Sequence, residues 1–231
     1  DLHSFPTRRS SDLHIAWIDH FMSQGALWPL RVAGEHKLTF RGNWKIQLEN
    51  TTDFYHFPIV HRSFVSVLDR DSARALTSFT TRDDVFCRSL GNGHSVAVYN
   101  PGAIDLTQDD GAAIPQRHQA LAEQLAKDLA PDAVRRVIRS IGGVGFNLNL
   151  FPNLGLSVSF LRELRPLAVD RTEVRHIALA MDGGPAAANR ARLRIHEHFQ
   201  GPAGFGSPDD VEAWERIQHG AQAGQIGRAH V

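Results

Sequence analysis

Asp53, His56 and His61 stand in a D-x-x-H-x-x-x-x-H spacing, Asp53-Phe-Tyr-His56-Phe-Pro-Ile-Val-His61. Imidazole is a good ligand for borderline divalent ions such as iron and zinc. On an unbroken α-helix, residues five apart point about 140° away from each other, so the two rings would not meet at one ion. Pro58 between them is expected to break the helix and bring both rings around. Two histidines are not yet a site; a third ligand is needed, typically a carboxylate. Two other readings stand beside this one: histidines that simply pack in the core or lie on the surface, and a hydrolytic zinc site. The helical H-E-x-x-H arrangement of zinc proteases is absent, which counts against the second.

Composition narrows the setting. Among 231 residues, Lys+Arg 25 balance Asp+Glu 25, so the totals offer no dense basic face for nucleic acid. A hydrophobic content of 42% with 22% charged residues is that of a globular chain rather than a disordered one. The single cysteine, Cys87, excludes an internal disulfide framework and a thiolate-rich metal cluster. No run of about 18 apolar residues is present to cross a membrane, and no secretory pattern opens the chain, so a reducing, cytoplasmic setting is expected.

The apolar pattern outlines the elements that must position the motif. Ile15, Trp17, Ile18, Phe21 and Met22 lie near helical spacing within 14–30. Leu38 and Phe40, a turn at Gly42, and then Trp44, Ile46 and Leu48 alternating with Lys45 and Gln47 predict a hairpin. Asn50, Thr51 or Thr52 is expected to cap a helix whose first turns hold Asp53, Tyr55 and His56. Residues 66–84 read as polar and irregular. Strands are predicted at 85–90 and 95–99, joined through Gly91-Asn92-Gly93, followed by a Gly-, Asp- and Pro-rich loop at 100–115. Residues 116–140 are helical, with Pro131 starting a second helix. Strand candidates follow at 144–151, 154–164 and 173–181, and then helices from Pro185 to about Gln200 and from Ser207 to about Ala223. This order predicts an α+β fold with an antiparallel sheet packed with helices. Residues 1–13 and 225–231 carry no supporting period and resemble sequencing-adapter read-through; they are expected to be non-native tails around a domain at 14–224.

Two stretches carry a family resemblance. The first runs Gly42-Asn43-Trp44-Lys45-Ile-Gln-Leu-Glu49-Asn50-Thr-Thr-Asp53-Phe-Tyr55-His56-Phe-Pro-Ile-Val-His61. The second runs Gly201-Pro-Ala-Gly204-Phe205-Gly206-Ser207-Pro208-Asp209-Asp210 and on to Trp214-Glu215-Arg-Ile-Gln218-His219-Gly220. Together they resemble the catalytic domain of Rieske non-haem iron oxygenase α-subunits, the aromatic-ring-hydroxylating dioxygenases, over about residues 14–224. The resemblance implies a helix-grip (START/Bet v 1-like) fold and a mononuclear Fe(II) held by His56, His61 and Asp210, with Asp209 as the competing carboxylate. It implies that Asp53 bridges a metal-binding histidine to the Rieske cluster of a neighbouring subunit, and it sets Asn50 near the iron. The implied reaction inserts oxygen from O2 into an aromatic substrate, with electrons from a ferredoxin or reductase, in a homotrimer or an α3β3 assembly.

Phe146, Leu148, Leu150 and Phe151 are candidates to line the substrate pocket, as are Val96, Val98 and Phe205. Gly206 stands where some relatives carry a bulky aromatic, and is expected to enlarge the pocket. His94, His176, His196, His198 and His219 have no partner motif and read as surface or structural. A Rieske [2Fe–2S] cluster needs two cysteines and two histidines. With Cys87 alone, that cluster is expected in an N-terminal domain outside this chain, which would then be inactive by itself. The reading from a different class is a metal-free helix-grip module that binds an apolar ligand.

Overall fold

The computed structural model describes residues 13–25, 27–78, 81–83, 85–99, 114, 116–141 and 145–223. Both expected tails and the loop at 100–115 lie outside them, apart from Leu13 and Ile114.

Seven strands form one sheet among the described residues: β1 (Leu30–Phe40), β2 (Phe86–Gly91), β3 (His94–Val98), β4 (Phe146–Leu150), β5 (Leu154–Ser157), β6 (Phe160–Ala168) and β7 (Arg171–Met181). Their order is β1-β7-β6-β5-β4-β3-β2, with each neighbouring pair antiparallel. The stretch predicted as one strand over 154–164 is two strands that turn at Val158-Ser159. The β2–β3 turn is as expected, with Gly91, Asn92 and Gly93 all at positive φ (84°, 52° and 82°).

The two faces of the sheet differ in character, and that difference decides where the site lies. Leu148, Leu156 and Leu161 stand opposite one another across β4, β5 and β6 and so share a face. There Phe146, Leu148, Val96 and Val98 form a core with Trp17 and Phe21 of α1 (Leu13–Ser23). The alternate residues Asn147, Ser157, Phe160 and His176 point to the other face, toward α2 (Trp44–Asn50), α8 (Ala186–Gln200) and α9 (Ser207–Gln222). On that face Trp214 of α9 is buried with Phe40, Leu164 and Val174. Helices α6 (Gln119–Leu125) and α7 (Pro131–Ile141) build a further core with α8.

The segment predicted as the second arm of a hairpin is helix α2. Strand β1 ends at Phe40, and Asn43 caps the helix, its side chain accepting from Lys45 N at 3.1 Å. Trp44 and Leu48, four apart, then share a helical face against the Trp214 cluster, a contact that alternation alone does not separate from a strand. The free carbonyls at the end of α2 are taken up by the sheet. Asn149 Nδ2 donates to Leu48 O at 2.8 Å, Asn147 Nδ2 to Thr51 O at 3.4 Å, and Cys87 Sγ to Thr52 O at 2.8 Å. Short helices α3 (Phe57–Val60), α4 (Arg62–Ser66) and α5 (Arg70–Thr77) follow, so part of 66–84 is helical.

Candidate metal centre

His56 sits at the N-cap of α3 and Pro58 within its first turn, a position that needs no N–H donor. Pro58 therefore starts a helix rather than breaking one, and residues 53–56 are not helical. The turn that re-aims the second ring is at His61 itself, which separates α3 from α4 with φ −93° and ψ 32°. The His56 and His61 rings end 5.2 Å apart at 73°.

Asp210 enters from the first turn of α9, where a carboxylate is favoured by the helix dipole. Its Oδ1 lies 3.2 Å from His61 Nε2 and 3.7 Å from His56 Nε2. One donor atom from each of the three residues lies within 4.8 Å of the others. Behind each imidazole stands a further carboxylate: Asp53 Oδ2 is 3.4 Å from His56 Nδ1, and Asp209 Oδ2 is 3.9 Å from His61 Nδ1. Asp209 thus faces the far side of His61, where it also accepts from Ser63 Oγ at 2.8 Å. Asn50 Nδ2 donates to His56 Nε2 at 3.1 Å and to Asp210 Oδ1 at 3.4 Å. The same amide lies 3.4 Å from His56 Nδ1, and it is the Asp53 carboxylate beside that nitrogen that favours a proton there.

Burial, foremost, holds the His56 pKa below the ordinary imidazole value, opposed by the charge of Asp210, assisted by His61 and opposed again by Asp53. A neutral imidazole is the form that ligates metal. His61 is 1% exposed, and its Nδ1 makes no hydrogen bond among the described residues. The ring is walled by Phe57 and Phe199, each at 5.0 Å between centroids. Two imidazole nitrogens and one carboxylate oxygen, convergent and walled on one side by aromatic rings, fit a divalent ion of the iron or zinc type.

Residues 28–231 match the family model described as the ring hydroxylating alpha subunit, catalytic domain. The chain belongs to that family. It is 30% identical over 230 residues to the anthranilate 1,2-dioxygenase large subunit of Acinetobacter baylyi, covering 92% of this chain and 46% of that protein. It is 31% identical over 215 residues to the 2-halobenzoate 1,2-dioxygenase large subunit of Burkholderia cepacia, covering 89% of this chain and 43% of that protein. The chain thus spans a little under half the length of these relatives. In fold it is similar to a naphthalene 1,2-dioxygenase mutant bound to phenanthrene, with a TM-score of 0.64 and 22% identity over 96% of this chain and 50% of that one.

In this ring-hydroxylating catalytic domain the pocket residues are placed differently from the sequence expectation. Phe146 and Leu148 belong to the core under α1, and Leu150 packs against it, on the sheet face opposite α2. Period-two alternation turns Asn147 and Asn149 toward α2 instead, because their amides find acceptors there. Val96 and Val98 lie in the same core, and Phe151 and Phe205 are exposed at 44% and 40%. Gly206 opens no space: a Cβ there would lie 2.7 Å from three atoms of the Phe199 ring, which fills the position and packs on His61.

Sequence reasoning passed over Phe199, Asp209's position behind His61, and a buried polar group around Arg162, Thr51 and Gln200. Of the histidines expected to be surface or structural, His176 and His196 are buried, beside His36. Donor atoms of His36, His196 and Glu197 form a second set within 4.8 Å of one another. The available signal for Arg162 was an arginine inside the apolar run Leu154–Leu164 that the period assigns to the inward face. No helix among the described residues is long and apolar enough to cross a membrane.

Proposed function

We propose that residues 14–224 form the catalytic domain of an aromatic-ring-hydroxylating dioxygenase, with His56, His61 and Asp210 as the ligands of one Fe(II). The observation that carries this reading is the convergence of both Nε2 atoms on Asp210, with a carboxylate behind each ring. That arrangement fixes the His56 tautomer through Asp53 and leaves one side of a three-ligand set open, as in two-His, one-carboxylate oxygenase sites. Iron bound there supplies the redox chemistry by which O2 is activated.

The chain's own residues hold and isolate the centre. Asp53 holds the proton on His56 Nδ1, Asp209 places a negative charge 3.9 Å from His61 Nδ1, Phe57 and Phe199 wall off His61, and Asn50 steadies Asp210 through its amide. Asp53 is 45% exposed, which suits a bridge to a Rieske [2Fe–2S] domain of a neighbouring subunit. A ferredoxin or reductase as electron donor, and a homotrimer or α3β3 assembly, belong to the same reading. The metal-free module that binds an apolar ligand is not favoured, since such a module has no use for the triad.

For the substrate we propose an aromatic acid. The relatives named for anthranilate and 2-halobenzoate are named for benzene rings that carry a carboxylate, and their "1,2" includes the ring carbon bearing it. An enzyme acting there needs a site for the anionic group close to the metal.

The test is anaerobic reconstitution with Fe(II) and measurement of bound iron. One iron per chain, lost in His56→Ala and in Asp210→Ala while the folded circular dichroism spectrum persists, is the expected result. Iron retention in both variants would overturn the assignment.

A further inference from the structure

Arg162 lies on the sheet face that looks toward α2, α8 and α9, and it is 7% exposed. Its three hydrogen-bond partners among the described residues are neutral: Nε donates to His176 Nε2 at 3.0 Å, Nη1 to Thr51 Oγ1 at 3.2 Å and Nη2 to Gln200 Oε1 at 3.2 Å. No carboxylate among the described residues forms an ion pair with it. A guanidinium has five N–H donors, so one on Nη1 and one on Nη2 have no acceptor among the described residues. Burial pulls its pKa down to about 10, which still leaves a full positive charge at neutral pH. A buried cation hydrogen-bonded only to neutral groups is costly in the folded protein, and among the described residues the charge of Asp210 offsets it only at longer range, which leaves the guanidinium suited to an anion.

Its position says where that anion would be. Thr51 follows Asn50, the amide that touches His56 and Asp210. Gln200, the last residue of α8, also accepts from Ser207 Oγ at 3.2 Å, and Ser207 opens the helix that carries Asp210. The guanidinium is therefore held between the two segments that deliver the triad, near enough to Asp210 for the two charges to interact. The Phe160 ring lies 5.3 Å from its Cζ and supports it from the sheet. With an ion bound, the Asp210 charge is committed to the metal, and Arg162 has lost its nearest opposite charge.

We propose that Arg162 is the binding site for the carboxylate of the aromatic substrate, its two free Nη donors gripping both oxygens while the ring lies toward the metal centre. The inference rests on the functional reading above and specifies which residue selects the acid. Planar, bidentate recognition of a carboxylate is the use to which a guanidinium is best suited. Thr51 and Gln200 then act as positioning residues that hold the fork at a fixed angle.

The experiment measures equilibrium binding of benzoate, benzamide and toluene to the full chain loaded anaerobically with Fe(II), by calorimetry. The unaltered protein is expected to bind benzoate at least about tenfold more tightly than either neutral ring. Arg162→Gln should erase that preference while iron content and toluene binding persist. Arg162→Lys keeps the charge but not the fork, and should lose much of the preference. Equal binding of benzoate and benzamide to the unaltered protein overturns the proposal, as does an undiminished preference in Arg162→Gln. If that variant does not fold, an undiminished preference in Arg162→Lys overturns it. Failure to load iron bears on the triad alone, whereas loaded iron with no benzoate preference leaves the triad standing and removes the role of Arg162.

Discussion

His61 meets Asp210 at 3.2 Å through Nε2, and its opposite nitrogen faces Asp209 at 3.9 Å, so one imidazole separates two consecutive carboxylates of α9. Consecutive helical residues point about 100° apart. The pair is therefore divided between a donor that reaches the metal side and one that stands behind the ring. Both acids lie in the same helical turn and would look interchangeable in composition.

This division makes the two asparagine variants unequal. Asp210→Asn removes an anionic oxygen from the donor set and is expected to abolish stoichiometric Fe(II) binding. Asp209→Asn leaves all three donors and removes only a negative charge 3.9 Å from His61 Nδ1. Its iron affinity should fall by less than about tenfold, below the usual effect of losing a hydrogen-bonded outer partner of a metal-bound histidine. Competition against a chelator under anaerobic conditions measures both, and equal losses would show that the helix end acts only through its total charge.

Gly206 and Phe199 give a packing prediction. A methyl group at 206 would meet three ring atoms of Phe199 at 2.7 Å, closer than real carbon contacts, and the ring is also in contact with Phe57, His61 and Phe64. It cannot yield without disturbing the wall of the metal site. Gly206→Ala should cost about 1–3 kcal/mol in urea unfolding, the range for overpacking a filled core. Adding Phe199→Leu should recover part of that loss, because the smaller side chain vacates the space.

The contrast between what the sequence showed and what it hid follows from the range of the interactions. Helix α9, the β2–β3 turn and the helical pair split at Pro131 were legible because their signals are local: a Pro in the first turn, glycines at positive φ, an apolar period. Asp53, His56, His61 and Asp210 were found through spacing and family resemblance, and the structure brings the last three together. Helix α2 was misread because Trp44, Ile46 and Leu48 satisfy a strand period as well as a helical face, and the deciding contacts come from Asn149 and Trp214, far along the chain. The same limit hid Arg162, whose three partners come from β7, from the end of α2 and from α8. Phe146, Leu148 and Leu150 sit in or against the core for a simpler reason: β4 has a polar row and an apolar row, and it is the apolar row that faces α1.

Asn149 tests the docking of α2. Its Nδ2 donates to Leu48 O at 2.8 Å and approaches Ser95 Oγ at 3.3 Å, with the side chain buried. Asn149→Ala leaves a carbonyl at the end of α2 without its donor and should destabilise the fold by about 1–3 kcal/mol. Iron affinity should fall with it, because Asn50 lies at the end of that helix. A variant with full stability and full iron affinity would show that α2 is held by the Trp214 cluster alone.

The buried histidines set the acid limit of the fold. His196 is 2% exposed with neither ring nitrogen hydrogen-bonded, and burial first, then His36 and Arg162, bring its pKa down to about 4. His176 is lowered well below the ordinary value by burial, Arg162, His36 and His196. The groups facing His196 are His36 on β1, His176 on β7, Arg162 on β6 and Glu197 on its own helix, so protonation adds a cation to a cluster that already holds one. For a histidine whose folded pKa is depressed, the unfolded chain binds more protons in the window between the two values. Stability is then complete above about pH 6.5 and is lost as pH falls toward 4. Over that window His196 alone should contribute a loss of about 3 kcal/mol in unfolding free energy. Urea unfolding at pH 7.5, 6.5, 5.5 and 4.5 reads the slope, and His196→Phe, which cannot titrate, should flatten it relative to the unaltered protein. Carboxylates add their own acid dependence to both proteins equally, so the difference between the two slopes belongs to His196, and parallel slopes would mean that its ring is already solvated in the native state.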